Sequence, residues 1–136
     1  MSFREKSAWI TLSAILMVSV LYALHAPQLS HPRPWDFHVL LACIAAFVVI
    51  ETVAYGVLRL SCPEDARTPI DEREQLIHLK ATRLASACYV AGSFLAVLTI
   101  HHGATAVMLA YFIVFAFVIA EIVKYGARIV YYRLGA

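Results

Sequence analysis

Charge is scarce in this chain: 15% of its 136 residues are Asp, Glu, Lys or Arg, where soluble domains average about 25%. Eleven Lys and Arg against nine Asp and Glu leave a formal net charge of +2. So thin a positive field cannot neutralise a run of phosphates, which excludes nucleic acid as a partner. Cysteine is sparse too. Cys43, Cys62 and Cys88 show no clustered metal-ligand spacing, and their placement predicts three reduced thiols with no disulfide. No phosphate loop, no cofactor fingerprint and no nucleophile with its base occurs, so the sequence argues against an enzyme and brings no resident cofactor with it.

What fills the chain instead is apolar surface. Hydrophobic residues make up 62% of it, and the mean hydropathy is +0.76. Four stretches, at 7–24, 38–58, 84–100 and 104–123, are each near the roughly 20 residues a bilayer requires of a helix. None alternates in the manner of a barrel strand, and only helices satisfy the backbone in lipid. The expected fold is an all-α membrane protein with four transmembrane helices. Residues 1–136 then form a single transmembrane domain, with 59–83 as its long connection and no room for a second unit. The first stretch follows Arg4 and Lys6, as a signal peptide would. It exceeds the usual apolar length of about 7–15 residues, and Pro27 follows Ala26 where cleavage would fall, so it is expected to stay as an anchor.

Orientation follows from the basic residues. Arg4 and Lys6 precede the first span. Arg59, Arg67, Arg73, Lys80 and Arg83 lie around the long connection, and Lys124, Arg128 and Arg133 follow the last span. Only Arg33 falls on the other side, so ten of the eleven basic residues share one side. Both termini and the connection are expected in the cytoplasm, which also keeps Cys62 reduced.

Within the connection, Thr68-Pro69-Ile70-Asp71 reads as a helix start, with Thr68 as N-cap and Pro69 in the first helical position. Asp71, Glu72 and Glu74 complement the helix dipole there. From Pro69 to Ile100 such a helix would run about 48 Å, so its first ten or so residues would stand below the membrane, with Lys80 and Arg83 at the headgroups. The stretch Asp71-Glu72-Arg73, followed by Ile77, Lys80-Ala81 and Arg83, resembles a group of small multispanning bacterial inner-membrane proteins of no assigned function, which share a D-E-R…I-x-x-K-A-x-R approach to a membrane helix. The resemblance covers about fifteen residues and the span layout. It implies a bacterial inner-membrane protein and brings no catalytic residues.

A second pattern is internal. Phe47 to Gly56 aligns with Phe117 to Gly126, 70 residues further on, and six of the ten positions are identical. The shared Glu-x-x-x-Tyr-Gly core places Glu51 with Tyr55 and Glu121 with Tyr125. A tyrosine at i+4 shares a face with its glutamate and can hydrogen-bond it. Duplication of a helical hairpin would produce this pattern, with the two copies related by an axis along the membrane normal. Glu51 lies about 20 Å along the helix from His38, in the inner third of a bilayer. One reading is structural: Glu121 pairs with Lys124, and Glu51 reaches toward Arg59, Lys80 or Arg83. The other makes Glu51, Tyr55, Glu121 and Tyr125 a proton or cation site.

Five histidines, His25, His31, His38, His101 and His102, fall at the outer ends of the spans. They could hold Zn, Cu or Ni with Asp36 as an oxygen ligand, or ligate heme through His38 and His102. The preferred reading is unliganded interfacial histidines, with Trp35 as an interface anchor and Pro27, Pro32 and Pro34 stiffening the loop and limiting which of them can converge. His78 reads as a helix-face partner of Glu74. The first functional expectation is an accessory or regulatory membrane protein, contacting the lipid bilayer and either itself or another membrane protein. The alternatives are a small oligomeric proton- or cation-coupled transporter or channel, and an outward-facing metal or heme binder.

Overall fold

The computed structural model describes residues 3–24, 36–63 and 71–134, and helices account for nearly all of them. They are α1 (Phe3–Leu24), α2 (Asp36–Ser61), α3 (Glu72–Leu98) and α4 (Ala106–Leu134). Each is long and apolar enough to cross a membrane, and no strand occurs among the described residues. The chain is an all-α protein of membrane-spanning character. Its outer surface fits that solvent: Leu60 is 83% exposed, Phe94 65% and Phe115 62%, groups that water would penalise and lipid tails accept.

α1 and α4 form an antiparallel central pair, with α2 against α1 and α3 against α4. The buried residues of α1, Phe3, Ala8, Thr11, Ala14 and Ile15, recur at helical spacing and define its inner face. The most extensive contact joins α3 to α4. Ile77, Ala81, Ala85 and Ala96 are buried on α3, on the same face as Cys88 and Gly92. A Cβ built on Gly92 would lie 2.7 Å from the Cβ of Ala116, so glycine is what lets the two backbones approach there. Close by, Tyr89 meets Phe117 edge to face at 6.2 Å. Small residues dominate the core because lipid gives no hydrophobic drive to helix association, so close van der Waals approach must supply it.

The helix boundaries depart from the sequence expectation at two ends. α3 begins at Glu72, with Asp71 extended (φ −71°, ψ 150°) as its N-cap and its carbonyl accepting from the Gln75 N–H at 3.0 Å. The helix therefore does not run from Pro69. Asp is itself a favoured cap, and the extended backbone at Asp71 ends the helix there. Thr68 and Pro69 lie outside the described residues. α4 continues well past Val123 to Leu134. Lys124, Arg128 and Arg133 end the apolar stretch without ending the helix, because lysine and arginine are both good helix formers.

α3 and α4 are joined by a 3-10 turn, Thr99–His102, closed by Gly103 at φ 78°. That left-handed backbone is where glycine is required. Thr105 then opens α4: its hydroxyl accepts from the Met108 N–H at 3.3 Å and its carbonyl from the Leu109 N–H at 2.9 Å, as an N-cap does.

A strict two-fold between the hairpins would match the α1–α4 contact with one between α3 and α2. Among the described residues no comparable α2–α3 contact exists.

Candidate functional site

The polar chemistry gathers at the end of the helices that carries the chain termini. Thr11, 4% exposed, is the one polar side chain on the buried face of α1. Its hydroxyl donates to Glu51 Oε1 at 2.7 Å. Glu51 is thus held across the α1–α2 contact by a neutral donor rather than by Arg59, Lys80 or Arg83. Arg59 and Arg83 are exposed, and the Lys80 ammonium lies 6.0 Å over the Tyr131 ring. The equivalent carboxylate on α4 is satisfied differently. Lys124 Nζ donates to both oxygens of Glu121, at 3.0 and 2.9 Å, one turn away on the same helix.

The repeat accounts for this difference. Seventy residues after Thr11 stands Ala81, which has no hydroxyl, and seventy before Lys124 stands Ala54, which has no ammonium. Each hairpin supplies one partner for its glutamate, from a different helix and with a different charge.

The two tyrosines do not behave as their spacing predicts. Among the described residues neither Tyr55 nor Tyr125 hydrogen-bonds its glutamate. Tyr55 packs edge to face on Phe3 of α1, centroids 6.0 Å apart. Tyr125 lies under two cations, with Lys124 Nζ 5.1 Å and Arg128 Cζ 5.6 Å from its centroid. Sharing a helix face permits the bond, but here the rings take aromatic and cationic neighbours instead. Tyr125 nonetheless stands within electrostatic reach of both Glu121 and Glu51, so the structure brings the two halves of the repeat into one neighbourhood.

Around this pair runs a rim of charge. Arg4 of α1 is ion-paired with Glu74 of α3, which ties those two helices directly. Arg133 of α4 lies 3.9 Å from Glu5 and 5.6 Å over the Trp9 ring of α1. Lys6 Nζ reaches Cys62 Sγ at 3.8 Å. Among the described residues, the buried Nε of Arg128 has no hydrogen-bond partner. Because Glu74 turns to Arg4, it is not the partner of His78, whose Nδ1 lies 3.4 Å from Thr82 Oγ1. The sequence signal for the Arg4–Glu74 tie was faint: opposite charges in the first turns of two parallel helices.

No known protein family, curated protein or solved structure matches the chain. Its chemistry must be read from its own side chains.

At the opposite end, His38 is exposed in the first turn of α2, and His101 and His102 are exposed in the 3-10 turn. His25 and His31 lie outside the described residues. Among the described residues no three His, Cys, Asp or Glu side chains gather around a point a metal could occupy. Asp36 is 5% exposed and falls within electrostatic reach of Tyr22, turned into the helix packing. Cys43, Cys62 and Cys88 are free thiols.

Chemically, the terminal end holds one carboxylate on a neutral hydroxyl and one on an ammonium. The Thr11 hydroxyl donates a hydrogen bond to Glu51 and brings no charge with it. The Lys124 ammonium brings Glu121 a full positive charge together with its hydrogen bonds.

Proposed function

We propose that the chain is an accessory or regulatory protein of a bacterial inner membrane, with both termini cytoplasmic, acting through helix contacts within the bilayer. The observation that carries this reading is where its polar groups are spent. Each intramembrane glutamate is engaged by a partner within the chain, Glu51 across the α1–α2 contact by Thr11 and Glu121 along its own helix by Lys124, while most of the apolar helix surface faces outward. The distribution of Lys and Arg supports the orientation, and the D-E-R…I-x-x-K-A-x-R stretch supports the bacterial assignment.

The test is stoichiometric isolation. The chain is cross-linked in its native membrane, then purified in mild detergent at high and low salt. An integral membrane partner at constant ratio in every preparation supports the accessory role. A preparation of this chain alone that conducts ions in vesicles overturns it.

A second reading rests on one observation: Glu51 is held by a neutral hydroxyl, whereas Glu121 is held by an ammonium. On that reading the protein is a small proton- or cation-coupled transporter or channel in which Glu51, Tyr55, Glu121 and Tyr125 handle the ion. On that reading, four helices would build the ion path only by pairing with another copy.

A further inference from the structure

We propose that the groove between α3 and α4, at the end that carries the termini, seats the phosphate of an anionic phospholipid, with Arg128, Lys124 and His78 around it. The starting point is a cation without a counter-ion. Among the described residues Arg4 takes Glu74, Lys124 takes Glu121 and Arg133 takes Glu5, and no carboxylate is left at ion-pair distance from Arg128. Its neighbours are neutral: the Tyr125 ring, whose centroid is 5.6 Å from Cζ, and the phenol of Tyr132. Arg128 is half-buried, and among the described residues its buried Nε has no partner. A buried donor left unmet is costly, and more so when it carries charge.

Depth identifies what can meet it. α4 starts at Ala106, and Arg128 lies about 33 Å further along the helix at 1.5 Å per residue. With the first turn of α4 at one edge of the hydrocarbon, which is about 30 Å thick, Arg128 falls at the level of the lipid phosphates beyond the other edge. The groove is also open there. His78 of α3 is exposed and lies within electrostatic reach of both Arg128 and Lys124. Its Nδ1 is 3.4 Å from Thr82 Oγ1, which leaves Nε2 to donate to a ligand.

Donors from two helices thus converge on one place. Lys124 spends two hydrogen bonds on Glu121 and keeps a third donor. The carboxylates nearby, Glu121 and Glu74, are each held by another cation, so neither takes Arg128. A phosphate supplies the missing negative charge, and its oxygens match the guanidinium fork in geometry. Basic pockets between membrane helices hold headgroups in this way. The lipid should be anionic, because the ammonium of a zwitterionic headgroup would stand beside Lys124 and Arg128 and be repelled by both. Phosphatidylglycerol, whose headgroup ends in hydroxyls, meets that description.

The test uses the purified full chain in neutral micelles, to which phosphatidylglycerol, phosphatidylcholine or inorganic phosphate is added. Thermal midpoint and the lipid retained in native mass spectrometry are measured together. Phosphatidylglycerol should raise the midpoint and stay bound, whereas phosphatidylcholine and inorganic phosphate at the same concentration should do neither. Arg128→Gln should weaken retention at least about tenfold, the loss of one charge-assisted hydrogen bond. Arg83→Gln should not, because Arg83 is exposed on the opposite side of α3 from buried Ala81 and Ala85. His78→Glu serves where Arg128→Gln fails to fold, since position 78 is exposed. Its carboxylate would stand in for the phosphate, so the midpoint without lipid should rise and the response to phosphatidylglycerol should vanish. Equal losses for Arg128→Gln and Arg83→Gln reduce the effect to general headgroup attraction and overturn the proposal. So does a midpoint raised as far by phosphatidylcholine or by inorganic phosphate, or a His78→Glu chain that responds as wild type does. None of these outcomes bears on Glu51 or on the accessory reading.

Discussion

Gly92→Ala adds one methyl group at the tightest point of the molecule. The new Cβ would stand 2.7 Å from the Cβ of Ala116 and 3.5 Å from its Cα. The first distance is far inside van der Waals contact, and neither atom is the end of a flexible side chain, so the helices must separate. Overpacking of this kind costs about 1–3 kcal/mol. It is offset in part by the better helix propensity of alanine, worth up to about 1 kcal/mol over glycine. The net loss should therefore be modest for Gly92→Ala and severe for Gly92→Leu. Ala116→Gly removes the clashing atom and leaves the new Cβ only the ordinary 3.5 Å contact. Alone, Ala116→Gly should cost about 1 kcal/mol in propensity; with Gly92→Ala it should relieve the clash, so the double variant is more stable than the sum of the singles by about 1 kcal/mol or more. The assay is reversible unfolding in mixed micelles, with Gly56→Ala and Gly126→Ala as controls. Those two glycines meet nothing within 4 Å, so alanine there should be neutral or stabilising. Additive behaviour of the 92 and 116 variants, or a loss at position 56 as large as at 92, would refute the account of the α3–α4 contact.

Three further outcomes are expected. Thr11→Val keeps the shape of the side chain but takes the hydroxyl from Glu51, and should lower stability by about 1–3 kcal/mol, whereas Thr11→Ser should be milder in the same unfolding assay. Glu74→Arg should destabilise by about 1 kcal/mol or less, since the pair with Arg4 is partly exposed, and Arg4→Glu in the same chain should recover much of it. Gly103→Ala forces a side chain into the left-handed backbone of the α3–α4 turn and should cost about 1–2 kcal/mol, read as a lowered thermal midpoint.

The membrane-spanning helices were legible in the sequence because their signal is collective: some twenty apolar residues in a row carry the message whichever one is examined. The small-residue face of α3 carries a signal of the same kind, since Ala81, Ala85, Cys88 and Gly92 recur at helical spacing. Single residues decided what was missed. The start of α3 turned on whether Thr68 or Asp71 takes the cap, and both are acceptable cap residues. The Glu121–Lys124 pair could be read because both partners lie on one helix, where spacing fixes proximity. The Thr11–Glu51 bond could not, because which face of α1 meets α2 is a tertiary fact. The tyrosines at i+4 show the opposite limit: spacing put them on the face of their glutamates, but the contacts of Phe3, Lys124 and Arg128 determined where the rings went.

The central claim is that Glu51 and Glu121 serve the fold, through Thr11 and Lys124, rather than carry ions. Purified chain is reconstituted in vesicles enclosing a pH-sensitive dye, a proton gradient is imposed, and wild type is compared with Glu51→Gln, Glu121→Gln and the double variant in the same preparation. In Glu51→Gln the side-chain amide oxygen can still accept from Thr11, and in Glu121→Gln the freed Lys124 can extend to water near the headgroups. Each single variant should therefore stay folded within about 1 kcal/mol of wild type. Proton flux through wild type should not exceed that of protein-free vesicles, and no variant should change it. Flux well above that leak, lost in the Gln variants while their folded state is retained, would contradict the claim.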